Sequence, residues 1–151
     1  MVGAPLVLYG RAMTYDSDNI FAKILRGEVP CEKVYEDEKT LAFMDVMPQA
    51  DGHVLVLPKA PARNLLDAAS ADLAATIAAV QKVARAVKTA MKADGLTIQQ
   101  FNEAAGGQSV FHLHFHILPR WDGVPLRRHS GEMAPKETLA DHARKIRDAL
   151  G

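Results

Sequence analysis

The chain has 151 residues, of which 48% are hydrophobic and 24% are charged, a composition typical of a single globular domain. Eighteen basic residues balance eighteen acidic residues, so no overall field attracts nucleic acid or an anionic membrane surface. The sequence contains no apolar run close to the length of about 20 residues that crosses a bilayer. Neither nucleic acid nor a membrane is therefore expected as a partner.

Cys31 is the only cysteine, which excludes an internal disulfide and suits a reducing compartment. The sequence therefore predicts a cytoplasmic location. We expect residues 1–17 to form a loosely ordered N-terminal extension and residues 18–151 to form one domain. Met1 and Met13 both remain candidates for the start of translation.

The first half of the domain is predicted to contain a short helix followed by strands. Asp18 is a candidate N-cap, and apolar residues follow it at helical spacing until Gly27 and Pro30 stop the helix. Three strands are predicted to follow, over residues 33–36, 40–46 and 53–57.

A long helix begins the second half of the domain. Ser70 is its candidate N-cap, apolar residues recur at steps of three and four, and Asp94-Gly95 is predicted to end it in left-handed backbone. The elements predicted to follow are strands over residues 96–102 and 109–118 and a helix over residues 136–150. This order predicts an α+β fold: an antiparallel sheet of about five strands, one long helix and two or more shorter helices.

Three histidines, His112, His114 and His116, alternate with apolar residues in the last predicted strand. Alternate side chains of a strand leave on the same face, about 6.5–7 Å apart, so the three imidazoles should form a row. Imidazoles on an apolar face would each have to be neutral and hydrogen-bonded, so three together are hard to explain as packing. The row predicts a functional site, whereas the isolated His129 and His142 are expected at the surface.

Two kinds of chemistry fit such a row. The histidines could offer ring nitrogens to zinc, or one imidazole could attack phosphorus while its neighbours supply protons and positive charge. Just upstream, Gly106-Gly107 lets the backbone approach a ligand closely, and Gln108 and Ser109 are neutral donors that suit phosphate oxygens. No carboxylate lies within the row. These neighbours favour a phosphate site over a metal site, although the spacing alone would not decide.

The segment around these histidines resembles the signature of the histidine triad family, His-x-His-x-His with apolar spacers. The resemblance extends from about residue 18 to residue 121. The blocks before the row look like the Hint branch of the family, whereas residues 118–120, Leu-Pro-Arg, look like the Fhit branch and many bacterial members. The further matching blocks are residues 19–30, 42–50, 52–59 and 102–103.

This resemblance implies an enzyme that hydrolyses or transfers nucleotides and needs no cofactor. His114 matches the family's nucleophile, which attacks the α-phosphorus and becomes a transient nucleotidyl-histidine. His112 and His116 match the residues that orient the nucleophile, bind phosphate oxygens and assist the leaving group. His53 matches a supporting histidine on a neighbouring strand. The resemblance also implies a purine nucleotide as substrate and a homodimer.

The expected substrate contacts follow from the same resemblance. Asn102, Gln108 and Ser109 are expected to hold the phosphate, and Asp45 is expected to accept the ribose hydroxyls. The expected base-binding wall consists of Ile20, Phe21, Ile24, Phe43 and Val46. For Ile24 and Val46 a place in the core fits the pattern equally well.

The substrate and the mechanism stay open among several alternatives. Purine nucleoside phosphoramidates are the leading substrates, and dinucleoside polyphosphates come second. A metal-dependent enzyme that uses the histidines as ligands and a nucleotide-binding adaptor are alternatives of other classes. Some bacterial relatives bind structural zinc through a Cys-x-x-Cys pair, which is Asn19 and Ala22 here, so we expect no such zinc site.

Overall fold

The computed structural model describes residues 14–129 and 132–151. Most of the predicted N-terminal extension, up to Met13, therefore lies outside the described residues, and residues 14–17 are its described part. Within the two described ranges, no helix is both long and apolar enough to cross a bilayer.

A five-stranded antiparallel sheet forms the centre of the fold, which confirms the predicted fold class. Its strands are β1 (Lys33–Glu36), β2 (Thr40–Met44), β3 (Val54–Pro58), β4 (Gly95–Gln99) and β5 (Phe115–Arg120). Their order across the sheet is β1-β2-β3-β5-β4, so β5 is inserted between β3 and β4. β2 and β4 end earlier than predicted, and β3 is shifted by one residue.

In the described part of the chain, three α-helices accompany the sheet: α1 (Ile20–Leu25), α2 (Ser70–Ala90) and α3 (Lys136–Leu150). One face of the sheet packs against α2 and α3 in a core cluster that includes Val56, Val83 and Ile146. The other face packs against α1 in a second cluster, to which α1 contributes Phe21. Because both faces are covered, all five residues of β2 and all five of β3 are buried.

The two predicted N-caps and the predicted end of the long helix differ from the structure, whereas the last helix has the predicted bounds. The N-cap of α1 is Asn19 rather than Asp18, because the Asn19 side chain accepts an amide hydrogen of the first turn at 2.9 Å. Ser70 is the first helical residue of α2 rather than its cap. The left-handed residue after α2 is Lys92, with φ of 52°, whereas Gly95 begins β4.

The last strand starts later than predicted, and this changes how the histidine row is built. β5 begins at Phe115 rather than at Ser109, so His112 and His114 precede the strand. The amide of Leu113 donates to a carbonyl oxygen in the loop before α2, at 2.8 Å, instead of pairing with a neighbouring strand. The prediction that regular strand alternation positions all three histidines is therefore wrong.

Candidate active site

Four histidines nevertheless converge where β3 and β5 pair. The ring centroids of His114 and His116 are 5.0 Å apart, and those of His53 and His116 are 5.1 Å apart. His112 joins them through its backbone, because its carbonyl oxygen lies 2.6 Å from Nδ1 of His114. The structure thus brings together the four histidines singled out from the sequence, although only His116 lies within a strand.

The hydrogen bonds of His53 assign the proton positions on His116. The backbone amide of Gln49 donates to Nδ1 of His53 at 3.1 Å, so the proton of neutral His53 is on Nε2. That Nε2–H faces Nδ1 of His116 at 2.9 Å and donates to it. Neutral His116 therefore carries its own proton on Nε2, where it can be donated to a ligand.

His114 has the opposite arrangement. Its Nδ1 faces a carbonyl oxygen, which can only accept, so Nδ1 carries the proton and donates it to His112. Nε2 of His114 is then left with a free lone pair. The backbone bond at Nδ1 thus fixes the tautomer in which the other nitrogen can attack an electrophile.

Burial keeps these imidazoles neutral. The loss of hydration lowers the pKa of His114 to about 4 and the pKa of His116 to about 3, against an ordinary 6.5. Burial likewise lowers the pKa of His53 to about 2 and lowers that of His112. At neutral pH the cluster therefore holds one free lone pair, on His114, and one N–H that can donate a hydrogen bond, on His116.

A cavity of about 550 Å³ opens onto His114 and His116. Phe21 lies edge-on to both the His114 ring, at 4.8 Å between centroids, and the Phe43 ring, at 5.4 Å. Ser109 also lines the cavity, next to the two histidines. The expected nucleoside-binding residues that line it are Ile20, Phe21, Ile24, Phe43, Asp45 and Val46.

Asp45 is the buried carboxylate of this cavity. One of its oxygens accepts the backbone amide hydrogen of Met47 at 2.9 Å, and the other lies 3.5 Å from Nε2 of His53. Burial raises the pKa of Asp45, although the Met47 hydrogen bond opposes that effect. The carboxylate that was expected to contact the ribose therefore lies in the wall of the cavity.

His129 was expected only at the surface, and it is exposed, but its ring also lines the cavity. Its Nε2 lies 3.8 Å from the carboxylate of Asp45. The chain after β5 folds back over this end of the cavity, since the Ala134 amide donates to the Val46 carbonyl at 2.9 Å. Nothing in the local sequence around His129 indicates this return, because it depends on where the later helix α3 packs.

Two of the expected phosphate-binding residues lie outside the cavity lining. The Gln108 amide is buried and has four protein partners: it donates to the carbonyls of Arg63 and Val110 and accepts from Asn64 and Glu103. Asn102 accepts from the amide of Leu65 and exchanges hydrogen bonds with Gln100. In this structure both side chains hydrogen-bond to residues of two loops, at positions 63–65 and 100–110.

Asp45, His53 and His116 are the group of described side chains that could share a metal ion, with ligand atoms all within 4.8 Å of one another. Both ring nitrogens of His53, however, are engaged by protein partners. An ion bound there would have to displace the bond between His53 and His116. The donor set is therefore a poor fit to a metal centre.

Comparisons with known proteins identify the family of this chain. Adenylylsulfatase HINT3 of Arabidopsis thaliana is 38% identical over 123 residues, and the match covers 78% of this chain and 62% of the relative's length. Protein hit of Bacillus subtilis is 37% identical over 78% of this chain and 85% of its own. A Hit-like protein involved in cell-cycle regulation from Bartonella henselae superposes with a TM-score of 0.85 at 55% identity, covering 90% of this chain and 99% of that one. The HIT domain family matches residues 26–123. The chain therefore belongs to the histidine triad (HIT) family of nucleotide-binding proteins and hydrolases.

Proposed function

We propose that the protein hydrolyses nucleotide conjugates at the α-phosphorus through a nucleotidyl-histidine intermediate, and that purine nucleoside phosphoramidates are its main substrates. The observation that carries this proposal is the free lone pair on Nε2 of His114, a residue that lines a cavity large enough for a nucleotide.

In the first step, Nε2 of His114 attacks the α-phosphorus, and the bond between phosphorus and the leaving amine breaks. The nitrogen of the leaving group takes up a proton from water as it departs, and the Nε2–H of His116 donates a hydrogen bond to a phosphate oxygen. The carbonyl oxygen of His112 accepts the Nδ1–H of His114, which stabilises the positive charge on the nucleotidyl-imidazole.

In the second step, water attacks the same phosphorus, and the bond between phosphorus and Nε2 of His114 breaks. The attacking water releases one proton to solvent, which balances the proton taken up by the amine, while the Nε2–H of His116 stays hydrogen-bonded to the phosphate. The products are a nucleoside monophosphate and the free enzyme in its original protonation state. His53 and the Gln49 amide keep His116 in the orientation that both steps need.

The residues around the cavity divide between the base, the ribose and the phosphate in this proposal. Ile20, Phe21, Ile24, Phe43 and Val46 form an apolar wall for the base, and Asp45 accepts the ribose hydroxyls. Ser109 donates to the phosphate. Direct contacts from Asn102 and Gln108 stay predictions, and we propose that their main role is to hold the loop that carries Ser109.

Two other substrate classes fit the same attack and differ in the leaving group. Dinucleoside polyphosphates would release a nucleoside polyphosphate. Adenylyl sulfate, named in the description of the Arabidopsis relative, would release sulfate. The mixed likeness to the Hint and Fhit branches does not decide between them and stays a prediction.

A panel of adenosine and guanosine phosphoramidates, dinucleoside polyphosphates and adenylyl sulfate tests the proposal, each assayed with and without exhaustive chelation. We expect the highest kcat/KM on a purine phosphoramidate and no loss of activity on chelation. Activity that chelation removes and zinc restores would point to the metal-dependent alternative. Nucleotide binding with no turnover on any compound would point to an adaptor.

Asp45→Asn is expected to abolish the preference for ribonucleotides over deoxyribonucleotides. A hydrogen bond to a charged group contributes about 1.5–3 kcal/mol, so kcat/KM for the ribonucleotide should fall about 10- to 150-fold, with little change for the deoxyribonucleotide. Paired kinetics on a matched ribose and deoxyribose substrate measure the effect. Asp51→Asn, at an exposed carboxylate nearby, is the control, and a ribose preference that survives in Asp45→Asn would remove the assignment.

We also propose a cytoplasmic homodimer, as the family resemblance implies. Light scattering at micromolar concentration should give twice the chain mass of 16.4 kDa. A monomeric mass would overturn the dimer without affecting the chemistry proposed for His114.

A further inference from the structure

The segment before α1 reaches the buried side of the histidine cluster. The hydroxyl of Tyr15 lies 2.6 Å from Nδ1 of His112, and the two rings meet edge to face with centroids 5.6 Å apart. His112 itself is completely buried. The sequence had placed Tyr15 in a loosely ordered extension, and the match to the HIT domain starts after it, at residue 26.

The partners of His112 determine which atom donates in this contact. Nε2 of His112 lies 2.8 Å from the carbonyl oxygen of Pro58, which can only accept, so Nε2 carries the proton of the neutral ring. Nδ1 then has the lone pair, and the Tyr15 hydroxyl donates to it. Burial raises the pKa of Tyr15 and lowers the pKa of His112, so both groups keep these protonation states at neutral pH.

The segment that carries Tyr15 is fastened to the domain on both sides of the tyrosine. Arg63 donates to the carbonyl of Thr14 at 3.1 Å, and the same guanidinium pairs with Glu103 at 2.8 Å. Arg26 donates to the carbonyl of Ser17 at 2.8 Å. These bonds hold the tyrosine against His112 independently of the ring contact.

We infer that Tyr15 is a positioning residue for the nucleophile, acting through His112. With Tyr15 on one ring nitrogen and Pro58 on the other, the His112 ring can neither rotate nor change tautomer. The carbonyl oxygen of His112, whose ring is fixed in this way, accepts a hydrogen bond from Nδ1 of His114 at 2.6 Å. The effect on turnover rests on the proposed function of His114, whereas the effect on His112 does not.

Tyr15→Phe tests this inference, because it removes the hydroxyl and keeps the ring packed on His112. Tyr35→Phe is the matched control, since it removes a hydroxyl that donates an exposed hydrogen bond to Asp37 at 2.7 Å, outside the lining of the cavity. Each full-length variant is assayed on adenosine phosphoramidate, and its imidazole nitrogens are followed by ¹⁵N NMR. In Tyr15→Phe we expect kcat to fall about tenfold with KM within about twofold, the size of one lost hydrogen bond.

In the same variant we expect the ¹⁵N chemical shifts of the two His112 ring nitrogens to move toward the average of the two tautomers. We also expect the Nδ1–H of His114 to exchange faster with solvent. Unchanged His112 signals would overturn the inference, and so would shifted signals with wild-type kcat. If the wild type turns over no compound, the proposed function fails separately. The exchange rate of the His114 proton then decides: faster exchange in Tyr15→Phe supports positioning, and an unchanged rate overturns it.

Discussion

His114→Ala is expected to lose about 10⁴-fold or more in kcat while the protein stays folded. The variant lacks the nitrogen that forms the covalent intermediate, and neither neighbour can replace it. Nε2 of His112 is bonded to Pro58, and Nε2 of His116 carries a proton. Steady-state assays on the best substrate measure the loss, and rapid quenching should detect no nucleotidyl-enzyme.

The control for this variant is His142→Ala, which removes a histidine of α3 outside the cavity lining and should leave kcat unchanged. Thermal unfolding and binding of a nucleoside monophosphate check that His114→Ala still forms the site. If alanine destabilises the protein, His114→Asn keeps a polar side chain of similar reach and carries the same expectation. Near-normal turnover in either folded variant would defeat the mechanism.

The protein is expected to lose several kcal/mol of folding free energy as the pH falls from about 6.5 to about 4. In the unfolded chain each histidine of the cluster has a pKa near 6.5, whereas in the folded protein the pKa of His114 is about 4 and that of His116 about 3. The unfolded state therefore binds more protons in this range, and stability falls with falling pH. For His114 alone, the difference between about 4 and 6.5 corresponds to about 3 kcal/mol.

Urea unfolding at several pH values between 7 and 4 measures this loss. Asp45 acts in the opposite direction, because burial raises its pKa and its protonation favours the folded state in acid. The pKa of Asp37 is lowered to about 2, so protonation of Asp37 reduces the free energy of unfolding mostly below pH 4. A free energy of unfolding that stays constant down to pH 4.5 would show that the imidazoles are hydrated rather than buried.

The sequence predicted the sheet and the three helices because each depends on local patterns, whereas the nucleoside-binding wall was expected from the family resemblance alone. The apolar residues of β2 and β3 and the helical spacing in α2 report burial directly. The start of β5 could not be predicted in this way. The segment before it alternates like a strand, but its backbone bonds to the loop at Ala62 and its His112 ring bonds to Pro58, and neither partner can be known before the chain has folded.

The contacts of site residues that the sequence analysis did not foresee all join distant parts of the chain. Tyr15 meets His112 across 97 positions, and His129 reaches Asp45 only because the chain returns after β5. Gln108 was expected to be a phosphate donor because its residue type suits that role. Its four protein partners come from two loops that are adjacent only in the folded protein.

The donor that orients the His53–His116 pair is a peptide N–H, at position 49. A peptide group does not titrate in the physiological range, and nineteen of the twenty amino acids supply the same hydrogen there. Substitution of Gln49 by any residue other than proline should therefore keep the direction of the hydrogen bond from His53 to His116. Proline alone would remove the backbone N–H that sets this direction. The direction of hydrogen-bond donation within the His53–His116 pair is thus determined by the path of the main chain and not by a side chain that mutation could readily replace.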